Sequence, residues 1–275
     1  LLRDPSRAPR WVRDARSVAP ADGQDGDGGG RARSAPSVEV AVAQYGDGEA
    51  VRAALAGVDV LLMVSASESA DRLLQHRTFI DAAAAAGVRH VVYTSFLGAA
   101  ADAVFTLART HWATEEHLRA SGMGFTLLRD SFYLDFLPDL AVDGVIAGPA
   151  GTGRVGAVAR EDVARSAAAV LADLAAGESR HDGAVYELTG PRALSLSDVA
   201  AILTAAGRPT VYRQESVEEA YASRSVYGAP DWQVDAWVST YTAIASGALD
   251  RVTHDVERLT GRRPLGLAEL LAGRP

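Results

Sequence analysis

The pattern of apolar and polar positions along the chain predicts alternating strands and helices. Residues 58–64 are almost continuously apolar, as expected of a parallel strand that is covered on both faces. A helical pattern follows over 65–87, then a strand over 88–94, a helix over 106–120 and a strand over 125–129. Repeated strand–helix–strand units of this length predict an α/β fold with a doubly wound parallel sheet and right-handed crossovers.

Two local signals refine the amino-terminal part of this pattern. Residues 38–45 (VEVAVAQY) predict a strand, and residues 47–56 predict a short helix that ends at Gly57. Ser65 and Glu68 have the spacing of a capping box, so we expect the helix over 65–87 to begin there.

The regular alternation of predicted strands and helices changes after Pro138. Turn residues dominate 145–153 (VIAGPAGTG), and the elements expected beyond it are a helix over 161–176, a strand over 184–189, a helix begun by Ser195 and Asp198, a strand over 210–213 and a helix begun by Ser216 and Glu219. Six of the twelve Trp and Tyr residues lie between Tyr212 and Tyr241. These rings form either core or the lining of a pocket for a flat apolar ligand.

Composition excludes several chemistries. The chain of 275 residues has no cysteine and no lysine, and its 27 basic residues are all arginines. There is therefore no disulfide, no thiolate nucleophile, no cysteine-ligated zinc, no Schiff base and no Tyr-x-x-x-Lys proton relay. His111, Glu115 and His117 share one helix but face differently, so we expect no metal site.

Charge and hydropathy limit the partners. A net charge of −8 and a pI near 5.3 argue against nucleic acid, and no apolar run approaches the ~18 residues that span a bilayer. Residues 22–30 (DGQDGDGGG) contain no apolar side chain, so 19–37 is interpreted as a disordered surface insertion. The arginines around it would also suit a nucleic-acid arm, but the interspersed aspartates favour a solvated loop. We expect a cytoplasmic protein with a small-molecule substrate, and a homo-oligomer is compatible with the sequence.

Ligands of open parallel sheets bind at the carboxyl ends of the strands. This rule selects Arg3, Gln44, Tyr45, Ser65, Ala66, Ser67, Thr94, Ser95, Phe96 and residues 130–133. The small and hydroxyl-bearing residues at 65–67 and 94–95 would let a cofactor approach the backbone, although Ser65 also suits a helix cap.

Several segments together resemble a known family. They are VLLMVSAS (60–67), VRHVVYTSFLG (88–98), the H-x-x-T-E run that begins at His111, GPAGTGRVGAVAREDVA (148–164) and YELTGPRALSLSDVA (186–200). The chain resembles the NmrA-like group of atypical short-chain dehydrogenase/reductases, and within it the type-2 NAD(P)H:quinone oxidoreductases. The resemblance implies a Rossmann-like dinucleotide-binding domain over 1–140 and a smaller α/β substrate-binding region over 141–275.

One family feature has no counterpart in this chain. Such proteins open with a strand and a G-x-x-G-x-x-G loop that places a helix N-terminus against the cofactor pyrophosphate. Residues 1–5 instead resemble the end of the family's second strand, so we expect a first β–α unit of about 30 residues upstream. An alternative follows, in which the chain as given is a non-functional truncation with weak affinity for NADPH.

The resemblance also implies roles for the strand-end residues. Arg3 matches a basic residue that suits the adenosine 2′-phosphate and hence NADPH over NADH, although it could be a surface arginine beside Asp4. The other matches are Gln44 and Tyr45 on the adenine side, Ser65, Ala66 and Ser67 along the ribose and pyrophosphate, and Thr94, Ser95 and Phe96 beside the nicotinamide.

His111 falls where other members of the superfamily carry the relay lysine. It would either hydrogen-bond the nicotinamide ribose or supply a proton near neutral pH, and we favour the cofactor contact. The alternative is a histidine paired with Glu115 one helical turn further on.

The missing relay bears on the reaction. Reducing a ketone benefits strongly from a positioned acid, whereas a reduced quinone is a weaker base that solvent can protonate. We therefore expect an NADPH-dependent reductase of quinones or similarly activated acceptors. Phe96, Phe132, Tyr133 and Trp232 are candidates for a flat apolar pocket, with core packing as an equal alternative for each. A redox sensor that binds the dinucleotide without turnover, as some NmrA-like proteins do, is the competing hypothesis.

Overall fold

The computed structural model describes residues 39–273 and is organised around parallel strands. The strands are β1 (Val60–Met63), β2 (His90–Phe96), β3 (Gly124–Asp130), β4 (Ala141–Val142), β5 (Val145–Gly148), β6 (Arg154–Val155), β7 (Val185–Leu188), β8 (Leu194–Ser195) and β9 (Val211–Gln214). Strands β1, β2, β3 and β7 form one sheet in that spatial order, and each neighbouring pair is parallel. The predicted α/β architecture is confirmed.

Helices connect these strands. They are α1 (Gly48–Ala54), α2 (Arg72–Ala85), α3 (Thr106–Ala120), α4 (Arg160–Ala175), α5 (Leu196–Ala205), α6 (Val217–Ser225), α7 (Asp231–Ala245), α8 (Asp255–Thr260) and α9 (Leu267–Ala272), with a 3₁₀ turn at Leu137–Leu140. Within the described range, no helix is both long enough and apolar enough to cross a bilayer.

Both faces of the parallel sheet are covered. Successive residues of a strand point to opposite faces, so Val91 and Tyr93 of β2 face a core shared with α1, α2 and α3, while Val92 faces a second core shared with α4 and α8. All seven residues of β2 are buried. Burial on both sides explains why the strands read as apolar runs rather than as alternating sequences.

The carboxyl-terminal half adds two small sheets and a third core. Strand β5 pairs with β4 antiparallel and with β9 parallel, and β6 pairs with β8 antiparallel. The third core joins Phe96 and Leu134 to Ile146, Tyr241 and Leu267. Residues from both sides of position 140 share this core, and the predicted domain boundary there stays a prediction.

Two glycines in this half permit close backbone approaches. A Cβ at Gly148 would lie 2.2 Å from the ring of Tyr241, and a Cβ at Gly156 would lie 2.3 Å from the carbonyl oxygen of Arg251. Both distances are shorter than van der Waals contact, so only glycine fits without rearrangement.

Most predicted elements are confirmed, with bounds that shift by one to three residues. The helix over 106–120 has the predicted limits, and the capping boxes of Ser195 with Asp198 and of Ser216 with Glu219 are both formed.

Two local expectations are wrong. Residues 39–45, the described part of the strand expected over 38–45, are not in a strand. The helix expected from Ser65 begins only at Arg72. Arg3 and the insertion expected over 19–37 lie outside the described residues.

Candidate functional site

The carboxyl ends of β1, β2 and β3 meet at one edge of the sheet. The parallel register pairs Met63 with Tyr93 and Phe96 with Asp130. It therefore brings together the predicted segments 65–67, 94–96 and 130–133, as the strand-end rule requires. Their contacts with a cofactor stay predictions.

The loop after β1 is held by side chains from two other elements. The backbone N–H of Ser65 donates to Thr94 Oγ1 at 2.9 Å, and that of Ala66 donates to His76 Nε2 at 2.9 Å. Arg72 Nε donates to the carbonyl oxygen of Ala66 at 2.9 Å. These bonds satisfy the backbone groups that a helix start would have used, which explains why the capping box expected at Ser65 is not formed. The loop backbone is therefore positioned before any ligand binds.

His76 has a defined protonation state. Its Nε2 accepts from Ala66, so Nδ1 carries the hydrogen and donates to Thr114 Oγ1 at 2.9 Å, while the Thr114 hydroxyl donates to the carbonyl oxygen of Thr110 at 2.8 Å. Burial, and secondarily the charge of Arg72, lower the pKa of His76 to about 3. The ring is neutral at physiological pH.

His111 is held in the same way on the neighbouring helix. Arg72 Nη2 lies 3.0 Å from its Nε2, and Tyr93 Oη lies 2.9 Å from its Nδ1. Because arginine only donates, Nε2 accepts and Nδ1 donates to the tyrosine oxygen. Burial and the charge of Arg72 lower the pKa of His111 well below its usual value. With a neutral ring and both nitrogens engaged, this arrangement does not support a proton supplied by His111 at neutral pH. Its contact with a cofactor stays a prediction.

The alternative pairing of His111 with Glu115 is wrong. Glu115 is buried and accepts from the Ser95 hydroxyl at 2.5 Å and from Arg129 Nε and Nη2 at 2.9 and 2.6 Å. The two-pronged guanidinium bond and the hydroxyl together engage both carboxylate oxygens, and Arg119 Nη2 lies 3.7 Å from Oε2. They also engage Ser95, one of the predicted nicotinamide-side residues, in an internal hydrogen bond.

Tyr45 and Gln44 lie before α1, beside the end of β1. The Tyr45 hydroxyl donates to the carbonyl oxygen of Val64 at 2.6 Å, and its ring stacks on Phe79 at 4.2 Å. Burial raises the pKa of Tyr45 to about 12. Tyr45 thus packs as part of the wall of this edge, whereas Gln44 is exposed.

Two of the predicted pocket aromatics form a cluster. The ring centroids of Phe96 and Phe132 lie 5.1 Å apart, and Phe105 lies 4.8 and 5.0 Å from them, respectively. Phe96 is buried and Phe132 is half-buried. The structure therefore brings these two rings together, with Phe105 as a member that sequence reasoning missed. Trp232 lies in the first turn of α7, outside this cluster.

A separate cavity of about 690 Å³ lies in the carboxyl-terminal half. Tyr227, Trp237 and Tyr241 line it, together with Phe136 and Arg213. Half of the aromatic residues counted between 212 and 241 thus face a cavity, while the four predicted pocket residues do not line it.

The end of β3 carries an unusual set of polar groups. Asp130 and Ser131 are 2% and 1% exposed, and Asp130 Oδ1 and Ser131 Oγ have no hydrogen-bond partner within the described chain. The Tyr133 hydroxyl lies 3.1 Å from Asp130 Oδ2, and the guanidinium of Arg160 stacks 5.1 Å from the Tyr133 ring centroid. Burial raises the pKa of Asp130 to about 8, despite the opposing hydrogen bond from Tyr133.

Arg72 is a second residue of this site that sequence reasoning missed. It is 5% exposed, and no carboxylate within residues 39–273 lies at ion-pair distance from it. Burial lowers the pKa of its guanidinium, and Coulombic interactions with Tyr93, Glu68 and Tyr133 oppose the shift, with Glu68 acting from beyond ion-pair distance. Its signal in the sequence is the spacing of four between Arg72 and His76, which puts two polar side chains on one face of a helix otherwise expected to pack.

Comparisons with known proteins agree with this geometry. A family model described as NAD(P)H-binding matches residues 30–174. Quinone oxidoreductase 2 of Escherichia coli (strain K12) is 36% identical over 244 residues, which cover 87% of this chain and 83% of that protein. NAD(P)H azoreductase of Xenophilus azovorans is 31% identical, again over 87% of this chain and 83% of that protein.

A solved structure extends the likeness to three dimensions. The crystal structure of the NADPH-dependent quinone oxidoreductase of Escherichia coli complexed with NADPH matches with a TM-score of 0.76 at 35% identity, covering 86% of this chain and 83% of that chain. The resemblance to quinone oxidoreductases that the motifs indicate is confirmed. The assignment to short-chain dehydrogenase/reductases and the absent first β–α unit stay predictions.

Proposed function

This chain belongs to the NAD(P)H-binding family, and we propose that it is an NADPH-dependent oxidoreductase that reduces quinones or similarly activated acceptors. The observation that carries the proposal is the sheet edge, where a backbone loop is held in place beside a buried arginine that has no carboxylate partner in the described range. The names of the relatives, a quinone oxidoreductase and an azoreductase, support the same class of reaction.

The residues of this edge fit a dinucleotide. Burying a cation without a counter-ion is costly, and an anionic ligand would remove that cost. Arg72 therefore suits a phosphate group, and the small side chains of Ser65, Ala66 and Ser67 leave the loop backbone open to a ribose and pyrophosphate. When bound, the nicotinamide supplies two electrons as a hydride.

The preference for NADPH rests on Arg3, which we propose contacts the 2′-phosphate. Thr94, Ser95 and Phe96 would face the nicotinamide, and the neutral His111 would keep Tyr93 in place rather than exchange protons. Burial raises the pKa of Tyr93, so this phenol does not ionise at neutral pH. An acceptor that needs little proton assistance during hydride transfer suits such a site.

Turnover and binding measurements test the proposal. We expect the protein to bind NADPH more tightly than NADH, and to oxidise it in the presence of benzoquinone, followed as loss of the near-ultraviolet absorbance of NADPH. Arg72→Gln should raise the Kd for NADPH about tenfold, the loss of roughly one charged hydrogen bond. Arg180→Gln, an exposed arginine paired with Asp173 before β7, is the matched control and should leave that Kd unchanged.

Two results would reject parts of this proposal. Tight NADPH binding with no oxidation across several quinones would reject the enzyme and favour the redox sensor. Equal affinity for NADPH in the wild-type and Arg72→Gln proteins would reject the role of Arg72 while leaving the activity standing.

A further inference from the structure

Asp130 and Tyr133 form a hydrogen-bonded pair at the carboxyl end of β3, on the edge that we assign to the cofactor. We propose that this pair donates a proton to the acceptor oxygen: Tyr133 gives its hydroxyl proton and Asp130 replaces it. The proposal rests on the proposed reduction of a quinone, because it names the source of the proton that this reaction consumes.

The unsatisfied atoms are the first observation. Buried polar groups nearly always have hydrogen-bond partners, and each orphan costs about 1–3 kcal/mol. Asp130 Oδ1 and Ser131 Oγ are both buried and both lack a partner within the described chain. Two neighbouring orphans at a strand end where ligands bind point to a function other than stability.

The direction of the Asp130–Tyr133 bond is the second observation. An ionised Asp130 can only accept from the tyrosine, whereas a protonated Asp130 donates from Oδ2 to Tyr133 Oη across the same 3.1 Å. In the protonated state the phenolic hydrogen is free to point away from Asp130. Since burial raises the pKa of Asp130 to about 8, the protonated state predominates at pH 7.

The position of Tyr133 is the third observation. It is half-buried and follows Phe132, a half-buried member of the cluster of Phe96, Phe105 and Phe132. Phe132 packs with Phe96 and Phe105, whereas Tyr133 packs against the core that contains Val92 and Val158. The charge of Arg72 acts on the Tyr133 phenol, which places that phenol near the edge assigned to the cofactor, where an acceptor would need a proton.

Two cations act on this pair. Arg160 stacks on the Tyr133 ring, and Arg160 and Arg72 both oppose the rise that burial causes in the tyrosine pKa. A negative charge formed on the phenol during proton transfer is therefore partly compensated. Asp130 raises the same pKa and is the one carboxylate within the described chain that acts on Tyr133 in this way.

The step balances without another reactant. The acceptor takes a hydride, with both electrons, from the reduced nicotinamide. The O–H bond of Tyr133 breaks as an O–H bond forms on the acceptor oxygen. The tyrosinate then takes the carboxyl proton of Asp130, and Asp130 recovers a proton from water. The net reaction consumes one proton from solvent.

Steady-state kinetics of three conservative variants test the pair. Tyr133→Phe removes only the hydroxyl and should lower kcat about 100-fold, the lower end of the range for a positioned acid, with little change in the KM for NADPH. Asp130→Asn keeps the shape but cannot donate an acidic proton. Tyr186→Phe removes a buried hydroxyl that bonds His181 Nδ1 at 2.8 Å, away from this edge, and should leave kcat unchanged.

The pH profile separates a chemical role from a structural one. The wild-type kcat should fall above pH 8 as Asp130 loses its proton, and Asp130→Asn should remove that pH dependence. Carbon-13 NMR of aspartate-labelled protein without substrates should show a carboxyl that titrates near pH 8 in the wild type and Tyr186→Phe, and its absence in Asp130→Asn.

Each outcome decides one of the two proposals. A wild type that oxidises NADPH with quinones while Tyr133→Phe and Asp130→Asn retain its kcat and pH profile overturns the proton-donating pair alone. A wild type that binds NADPH but reduces no quinone overturns the proposed function, and the pair with it. A titration that persists in Asp130→Asn shows that another carboxyl is responsible and also rejects the pair.

Discussion

Replacing the carboxyl of Asp130 by an amide should make the protein more stable, and increasingly so as the pH rises. Asp130 is fully buried at the end of β3 and pairs with the Tyr133 hydroxyl. Folding must therefore either keep the carboxyl protonated or bury its charge. Asparagine fills the same space, can bond the same hydroxyl and never ionises, so Asp130→Asn removes this penalty.

The magnitude follows from the two pKa values. The pKa of Asp130 is 3.8 when the group is solvated and about 8 in the folded protein. Because the folded value is the higher one, no penalty exists below pH 3.8, and stability is lost progressively as the pH rises from 3.8 to 8. Each pH unit in that window costs about 1.4 kcal/mol. The gain in stability from Asp130→Asn should thus increase by about 3–4 kcal/mol between pH 5 and pH 8.

Urea unfolding followed by circular dichroism measures this difference. Both proteins are unfolded at several pH values from 5 to 8, and the difference in unfolding free energy is plotted against pH, so that groups common to both cancel. Asp198→Asn is a control of opposite sign, because the bonds from Ser195 lower the pKa of the Asp198 carboxyl. That variant should be less stable than wild type by a constant amount from pH 8 to pH 5, and the difference should shrink only below pH 3.8. A constant difference for Asp130→Asn over this range would refute the reasoning.

Three further perturbations test the rest of the structure, each by urea unfolding. Glu115→Gln should cost about 3 kcal/mol, because it leaves the half-buried charge of Arg129 without its carboxylate; a loss below about 0.5 kcal/mol would contradict the pairing. Between pH 6.5 and pH 5, the unfolding free energy of wild type should fall by about 2 kcal/mol relative to that of His76→Gln. The unfolded chain binds a proton at His76 below pH 6.5, whereas the folded protein, in which the pKa of His76 is about 3, does not. Equal acid sensitivity of the two proteins would argue against a buried neutral ring. Gly156→Ala should lower the unfolding free energy by about 1–3 kcal/mol, because its Cβ would clash with backbone. Gly46→Ala, whose Cβ meets only a side chain at 3.8 Å, should leave the unfolding free energy nearly unchanged.

Much of the fold could be predicted because its signals are local. Apolar runs such as 58–64 are explained by burial on both faces of the parallel sheet, and the capping boxes at Ser195 and Ser216 formed as predicted because each needs only residues three positions apart. Ser65 and Glu68 have the same spacing, but no helix begins at Ser65. There the Ala66 backbone is bonded by His76 and Arg72, ten and six residues further along the chain, and no spacing rule includes such partners.

The candidate site, like the fold, could be predicted only in part. The strand-end rule correctly brought 65–67, 94–96 and 130–133 to one edge, since parallel strands share a direction. This rule could not assign the hydrogen-bond partners of each side chain. His111 hydrogen-bonds to Arg72 and Tyr93 rather than to Glu115. Glu115 accepts hydrogen bonds from Ser95 and Arg129 instead. These choices depend on which helices pack on which strands.

The sequence by itself determined the fold class, the edge at which the predicted site segments meet and the absence of a lysine relay, because periodicity, strand direction and composition are properties of the chain. Only the tertiary structure decided which groups are buried and which partners they have. Burial changes the cost of charge, so it made His76 and His111 neutral and left Arg72 with no carboxylate at ion-pair distance within residues 39–273. The same effect gave Asp130 a proton near neutral pH. The electrostatics of this edge is therefore a consequence of packing, which brings together residues that are far apart in the sequence.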